Sequence, residues 1–146
     1  MAIEILGIHH HATRIDSGPE QLAAVRNFYK DVLGLGADPG RPTIPGVPGF
    51  WINVGGGGQI HLIGGAQPSA LAKGPGQDPT IPHVALAVAD IQATKAELDR
   101  LGVEYWSMTG INGPLAEQVF VNDPSGNMVE LHQVDQCRCA AEGRGQ

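Results

Sequence analysis

Among the side chains of this 146-residue chain that are of types able to hold metal ions, four stand out by their placement: His10, His61, His83 and Glu130. Each lies within a short run rich in apolar and β-branched residues, the mark of a strand. Imidazole and carboxylate are the usual donors for zinc, iron, nickel and manganese. An internal repeat pairs them. Sliding Ile8 to Ile15 along by 73 residues lays His10 on His83, Ala12 on Ala85 and Ile15 on Val88. Ser17 falls on Asp90 at the same offset, Leu33-Gly34 on Leu101-Gly102 at 68, and His61 on Glu130 at 69, so a gap of about five residues lies in the first copy's helix. Two copies of one supersecondary unit sharing a core are implied, and they are expected to face each other. Each copy then supplies two donors at matching positions, and the four converge. The same residues could instead form a buried His–Glu hydrogen-bond network without metal.

The elements that carry these residues follow in chain order. Residues 3–15 read as a strand whose alternation puts His10, Ala12 and Arg14 on one face and His9, His11 and Thr13 on the other. His9 and His11 are therefore expected to be ordinary half-buried or surface residues. Ser17-Gly18-Pro19-Glu20 reads as a capping box. Leu22, Val25, Tyr29, Val32 and Leu33 form an apolar stripe expected to lie on the sheet, ended by Gly34. Residues 50–54 and 59–63 are strands joined by the glycines 55–58, a hairpin loop with no phosphate-binding signature. Residues 64–80 form an irregular connector that could close over a ligand. In the second copy Asp90 caps a helix with Ile91, Thr94, Leu98 and Leu101 on one face and Gly102 at its end. Strands are expected at 103–106 and 118–122. The turn Asp123-Pro124-Ser125-Gly126-Asn127 then leads into a last strand, 128–132, with Glu130 on the face of Met128 and His132.

Composition narrows the partners. Nine basic against fifteen acidic residues give a net charge of −6, with no basic block, which argues against nucleic acid. No apolar run approaches the roughly 18 residues of a membrane span and no signal core is evident, so a cytoplasmic protein is expected. The 21 glycines and 11 prolines crowd the first half and favour short strands over a bundle. Cys137 and Cys139 read as two unpaired thiols in a patternless tail.

Ile8-His9-His10, the run from Phe28 to Leu35, Gln59-Ile60-His61-Leu62, the run from Pro82 to Val88 and that from Asp123 to Leu131 together resemble the vicinal oxygen chelate superfamily. This group contains glyoxalase I, methylmalonyl-CoA epimerase, extradiol dioxygenases, fosfomycin-resistance transferases and bleomycin-binding proteins. The resemblance spans about residues 3–133. It implies an α+β fold of two paired βαβββ modules forming a curved, mostly antiparallel sheet around a metal cleft. A single domain over 1–135 is expected, with repeats at 3–65 and 80–133, the 64–80 connector between them, and a tail at 136–146.

The resemblance also implies one divalent ion (Fe, Ni, Zn, Co or Mn) held by His10, His61, His83 and Glu130. With a histidine at position 61 in place of a carboxylate, the base is left to Glu130, if it can leave the metal, or to an outside group such as His132, and Arg14 is likened to an arginine that binds a substrate carboxylate in glyoxalase I. Arg14 also reads as a solvated charge at a strand end. His61 stands where glyoxalase I has glutamate, which leaves the site more positive and makes ordinary glyoxalase activity doubtful. Four protein donors around a six-coordinate ion leave two places, enough for two neighbouring substrate oxygens and suited to isomerase or lyase chemistry. Without His61, the remaining two histidines and one carboxylate form the set of an iron oxygenase. The expectation is therefore a glyoxalase- or epimerase-like lyase or isomerase acting on a small molecule. The alternatives are an Fe(II) extradiol dioxygenase and a non-catalytic antibiotic-binding protein. A homodimer is expected.

Overall fold

Two strands that pair antiparallel at the centre of the sheet, β1 (Gly7–Arg14) and β4 (His83–Val88), join the two repeats. Between them in the chain come α1 (Pro19–Asn27), β2 (Gly49–Gly55) and β3 (Gly58–Ile63). After them come α2 (Ile91–Leu101), β5 (Trp106–Thr109), β6 (Glu117–Asn122) and β7 (Met128–Gln133). The structure is a computed structural model and describes residues 2–136. Cys137, Cys139 and the rest of the tail lie outside the described residues.

The seven strands form one mixed sheet in the order β2-β3-β1-β4-β7-β6-β5. The repeats thus sit edge to edge, and what faces across the cleft is the two wings of one sheet. The register carries the duplication into space. His10 pairs with Ala85 and Ala12 with His83, placing a pseudo-two-fold axis at the pair His11 and Val84. On the outer side of each central strand runs its own parallel partner, where Ala12 pairs with His61 and Ala85 with Glu130. The second repeat is a complete βαβββ unit. In the first, the strand after the helix is reduced to an isolated bridge between Ala37 and Ile52, as the Gly/Pro-rich sequence around it would dictate.

Helix α2 follows the sequence reading. Asp90 Oδ1 accepts from Ala93 N at 2.9 Å, and Gly102 ends the helix in the left-handed region at φ 69°. Its Ile91 and Leu98 pack with Val88, Val119 and Leu131 into the main apolar cluster. A second cluster, Met108, Phe120 and Met128, borders the cleft.

Helix α1 departs from it. Its N-cap is Gly18, without a side-chain cap, so Ser17 does not play the expected part. No residue of α1 is buried, and Val32 and Leu33 are 67% and 50% exposed. For Val32 and Leu33 the cause lies in the turn Phe28–Val32, which widens to π-type winding. One extra residue per turn rotates everything beyond it off the line of Leu22 and Val25. The Gly-rich hairpin is tighter than its composition suggested: Gly55 pairs with Gly58, and only Gly56 and Gly57, at φ 62° and 84°, make the turn.

Strand β1 is also shorter than the expected 3–15, and it carries a bulge between Ile8 and His10. His9 is the extra residue. It is 4% exposed while Ile8 is 68% exposed, so the bulge brings His9 inward beside His10. The expectation of an ordinary half-exposed His9 is corrected accordingly.

Candidate metal centre

Alternation on β1, β4 and β7 sends His10, His83 and Glu130 into the cleft, and each is at most 6% exposed. One donor atom from each lies within 4.8 Å of the others. Glu130 Oε1 is 3.2 Å from His83 Nε2 and 3.7 Å from His10 Nε2, and it accepts from Gln118 Nε2 at 3.2 Å. Its other oxygen faces His132 Nδ1 at 3.5 Å.

The His83 tautomer is legible from its neighbours. Nδ1 lies 2.5 Å from the carbonyl of Ile81, which can only accept, so Nδ1 carries the proton. Nε2 then aims a lone pair at a carboxylate oxygen without making a hydrogen bond. Two acceptors held face to face in a buried place repel unless a cation stands between them, so the donors suit a metal ion or a proton. The titration behaviour fits. Burial would lower the His83 pKa, but the Glu130 carboxylate and Ile81 carbonyl raise it above the ordinary value. Burial would raise that of Glu130, but His10 and His83 hold it well below the usual carboxylate range.

His61 takes a different place. Its ring is sandwiched, stacked on His10 with centroids 3.7 Å apart and on Trp51 at 4.5 Å. Its Nε2 lies 2.9 Å from Gln59 Oε1. The amide of Gln59 is oriented by two acceptors, Asn53 Oδ1 at 2.8 Å and Asp38 Oδ2 at 3.2 Å, so its oxygen must face His61 and accept the Nε2 proton. Burial, then the neighbouring His10, pushes His61 well below its ordinary pKa, so the ring is neutral. His61 thus adjoins the three-donor group without belonging to it.

Arg14 lies away from these donors. Its guanidinium donates to the carbonyls of Gly64 and Gly65, tying the connector to β1, and it borders a groove with Ile15, Asp16 and Ser17. The cavity beside the donors, about 50 Å³, is lined instead by Arg41, Trp51, Thr80, Met108 and Ile111 among others. Larger open grooves of about 760 and 740 Å³ run along the connector and contain none of the donors. Arg41 escaped the sequence reading because it lies in a Gly/Pro-rich stretch with no periodicity to give it a face.

The profile of the Glyoxalase/Bleomycin resistance protein/Dioxygenase superfamily matches residues 8–131. The chain belongs to this superfamily. Solved structures of the same fold include methylmalonyl-CoA epimerase from Mycobacterium tuberculosis, 21% identical over 91% of each chain with a TM-score of 0.68. A hypothetical protein from Bacillus halodurans C-125 is 23% identical over 86% of this chain and 92% of its own, at 0.64. A single-substitution variant of Streptomyces coelicolor methylmalonyl-CoA epimerase in complex with 2-nitronate-propionyl-CoA is 21% identical over 89% of this chain and 98% of its own, at 0.62. No protein of curated function matches the sequence. Among the described residues, no helix of this superfamily member is long and apolar enough to cross a membrane.

Proposed function

We propose that the protein is a metal-dependent enzyme in which His10, His83 and Glu130 hold one divalent ion against a small substrate that offers it two adjacent oxygens. The reaction we assign is proton transfer of the glyoxalase or epimerase type, an isomerase or lyase chemistry. The convergence of the three buried donors carries the reading, with the His83 lone pair turned onto Glu130. When bound, a divalent ion polarises substrate oxygens and stabilises the charge left by a departing proton. Glu130 would take that proton and return it to the substrate at its new position, with His132 beside its second oxygen. The two wings of the sheet flank a small space beside the donors. Methylmalonyl-CoA epimerases give this chemistry a precedent on the fold, and at 21% identity the likeness extends no further.

The bond between His61 and Gln59 favours a second reading. With His61 engaged there, two histidines and one carboxylate remain, a set that leaves room for both a catecholate and O₂ on iron. Exchange of a substrate's α-proton with deuterated solvent, followed by NMR, tests the first reading. Oxygen uptake with catechols by iron-loaded protein tests the second and would rank ring cleavage above proton transfer.

We further propose a homodimer, because Ile8, Phe28, Val32 and Leu33 are all at least half exposed and a second copy would cover such apolar surface. The donors come from both repeats of one chain, so the site needs no residue from a partner.

A further inference from the structure

We propose that Arg41 is the anion-recognition residue of this site, selecting substrates that carry a carboxylate in addition to the two oxygens presented to His10, His83 and Glu130. The inference rests on the metal-site reading and names a substrate class for it. Arg41 lines the same small cavity as those three residues. Its plane is fixed from behind, with Nη1 donating to Pro42 O at 3.2 Å and Nη2 to Val47 O at 2.8 Å. Its Nε is buried without a hydrogen-bond partner. The guanidinium carries five N–H donors in a rigid fork, so donors remain for a ligand.

Among the described residues no carboxylate makes an ion pair with Arg41; Glu130, turned to His10 and His83, shares the cavity with the apolar Ile44, Val47, Leu71, Met108 and Ile111. The group lies 6.0 Å over the Trp51 ring, and Trp51 is stacked on His61, which links Arg41 to the donor cluster through two rings. Burial pushes its pKa down from the ordinary value, as befits a cation short of water, yet a guanidinium stays protonated at neutral pH. A half-buried, oriented arginine whose Nε is buried without a partner beside the cavity matches the bidentate geometry of a carboxylate. Arg14 borders a different groove, its guanidinium donating to Gly64 and Gly65, and does not line this cavity.

The test uses two chelators that differ in one group, acetohydroxamate and the monohydroxamate of succinic acid, titrated calorimetrically into cobalt-loaded protein. Wild type should bind the carboxylated probe about tenfold to a hundredfold more tightly, the range for one charge-assisted pair. Arg41→Met should bring that ratio to about one while leaving acetohydroxamate binding and metal content unchanged, and Arg41→Lys should restore part of it. An unchanged ratio in Arg41→Met would overturn the inference. Failure of the metal site would show itself separately, as loss of acetohydroxamate binding in wild type. In that case succinate titrated into metal-free protein decides: Arg41-dependent binding sustains the role, and binding indifferent to Arg41 ends it.

Discussion

Replacing Asp78 with alanine should loosen the connector that roofs the cleft without touching a donor to the metal. Asp78 is 4% exposed and accepts four hydrogen bonds: from Ser69 N at 2.6 Å, Ser69 Oγ at 2.8 Å, Thr80 N at 2.9 Å and Thr80 Oγ1 at 2.8 Å. The hydroxyls can rotate toward water, but the two backbone N–H groups cannot follow. A bond to a charged acceptor contributes about 1.5–3 kcal/mol. Water entering at the loop recovers part of the two, leaving a loss of about 3 kcal/mol. For a chain of this length that is about 6–12 °C in thermal midpoint.

Asp78 also has a pH signature. Burial would raise its pKa, but the Ser69 and Thr80 donors outweigh that and lower it below 3.8. A depressed acid stabilises the fold above its unfolded pKa and loses that contribution as pH falls through the folded one. Asp78→Asn should therefore flatten the stability profile on the acid side. Calorimetry and urea titration read the stability, and metal content should stay at the wild-type value. A loss under about 1 kcal/mol, or loss of metal at neutral pH, would refute the view that Asp78 holds the roof and nothing else.

Other outcomes follow from the same geometry. His83 has a raised pKa, so its pairing with Glu130 stabilises the metal-free protein below about pH 6.5 and fades as pH rises through the folded value. Metal should therefore raise the thermal midpoint more at about pH 9 than at about pH 6, and equal shifts would contradict this. His61→Glu restores the second carboxylate of the glyoxalase pattern. It should keep metal and acquire or raise hemithioacetal isomerisation, followed by the absorbance of the thioester product. Val32→Asp, on the 67% exposed position beyond α1, should shift sedimentation from dimer to monomer with metal retained; an unchanged dimer would place the interface elsewhere.

Much of the site was legible because strand alternation is strict. Once the repeat aligned His10 with His83, a period of two was enough to place Glu130 with His132 on the cleft side. The same rule misplaced His9, since a bulge adds a residue without leaving any mark in the apolar pattern. The π-type turn at Phe28–Val32 was hidden for a related reason: helical periodicity assumes constant winding. Asp78 and Arg41 lie in irregular backbone, where a residue's direction is set by tertiary contacts and cannot be read from spacing. The place of His61 depended on Gln59, two residues away, whose amide is turned by Asp38 and Asn53. No local pattern announces such a relay.

The most direct measurement is metal content of the purified protein by elemental analysis, on wild type, His83→Ala and Glu130→Ala. About one divalent ion per wild-type chain and its loss in both variants are expected, with nickel, zinc, cobalt or manganese indicating proton transfer and iron indicating the oxygenase reading. Wild-type protein from metal-supplemented medium that carries no ion, or variants that keep theirs, would contradict a metal centre at His10, His83 and Glu130.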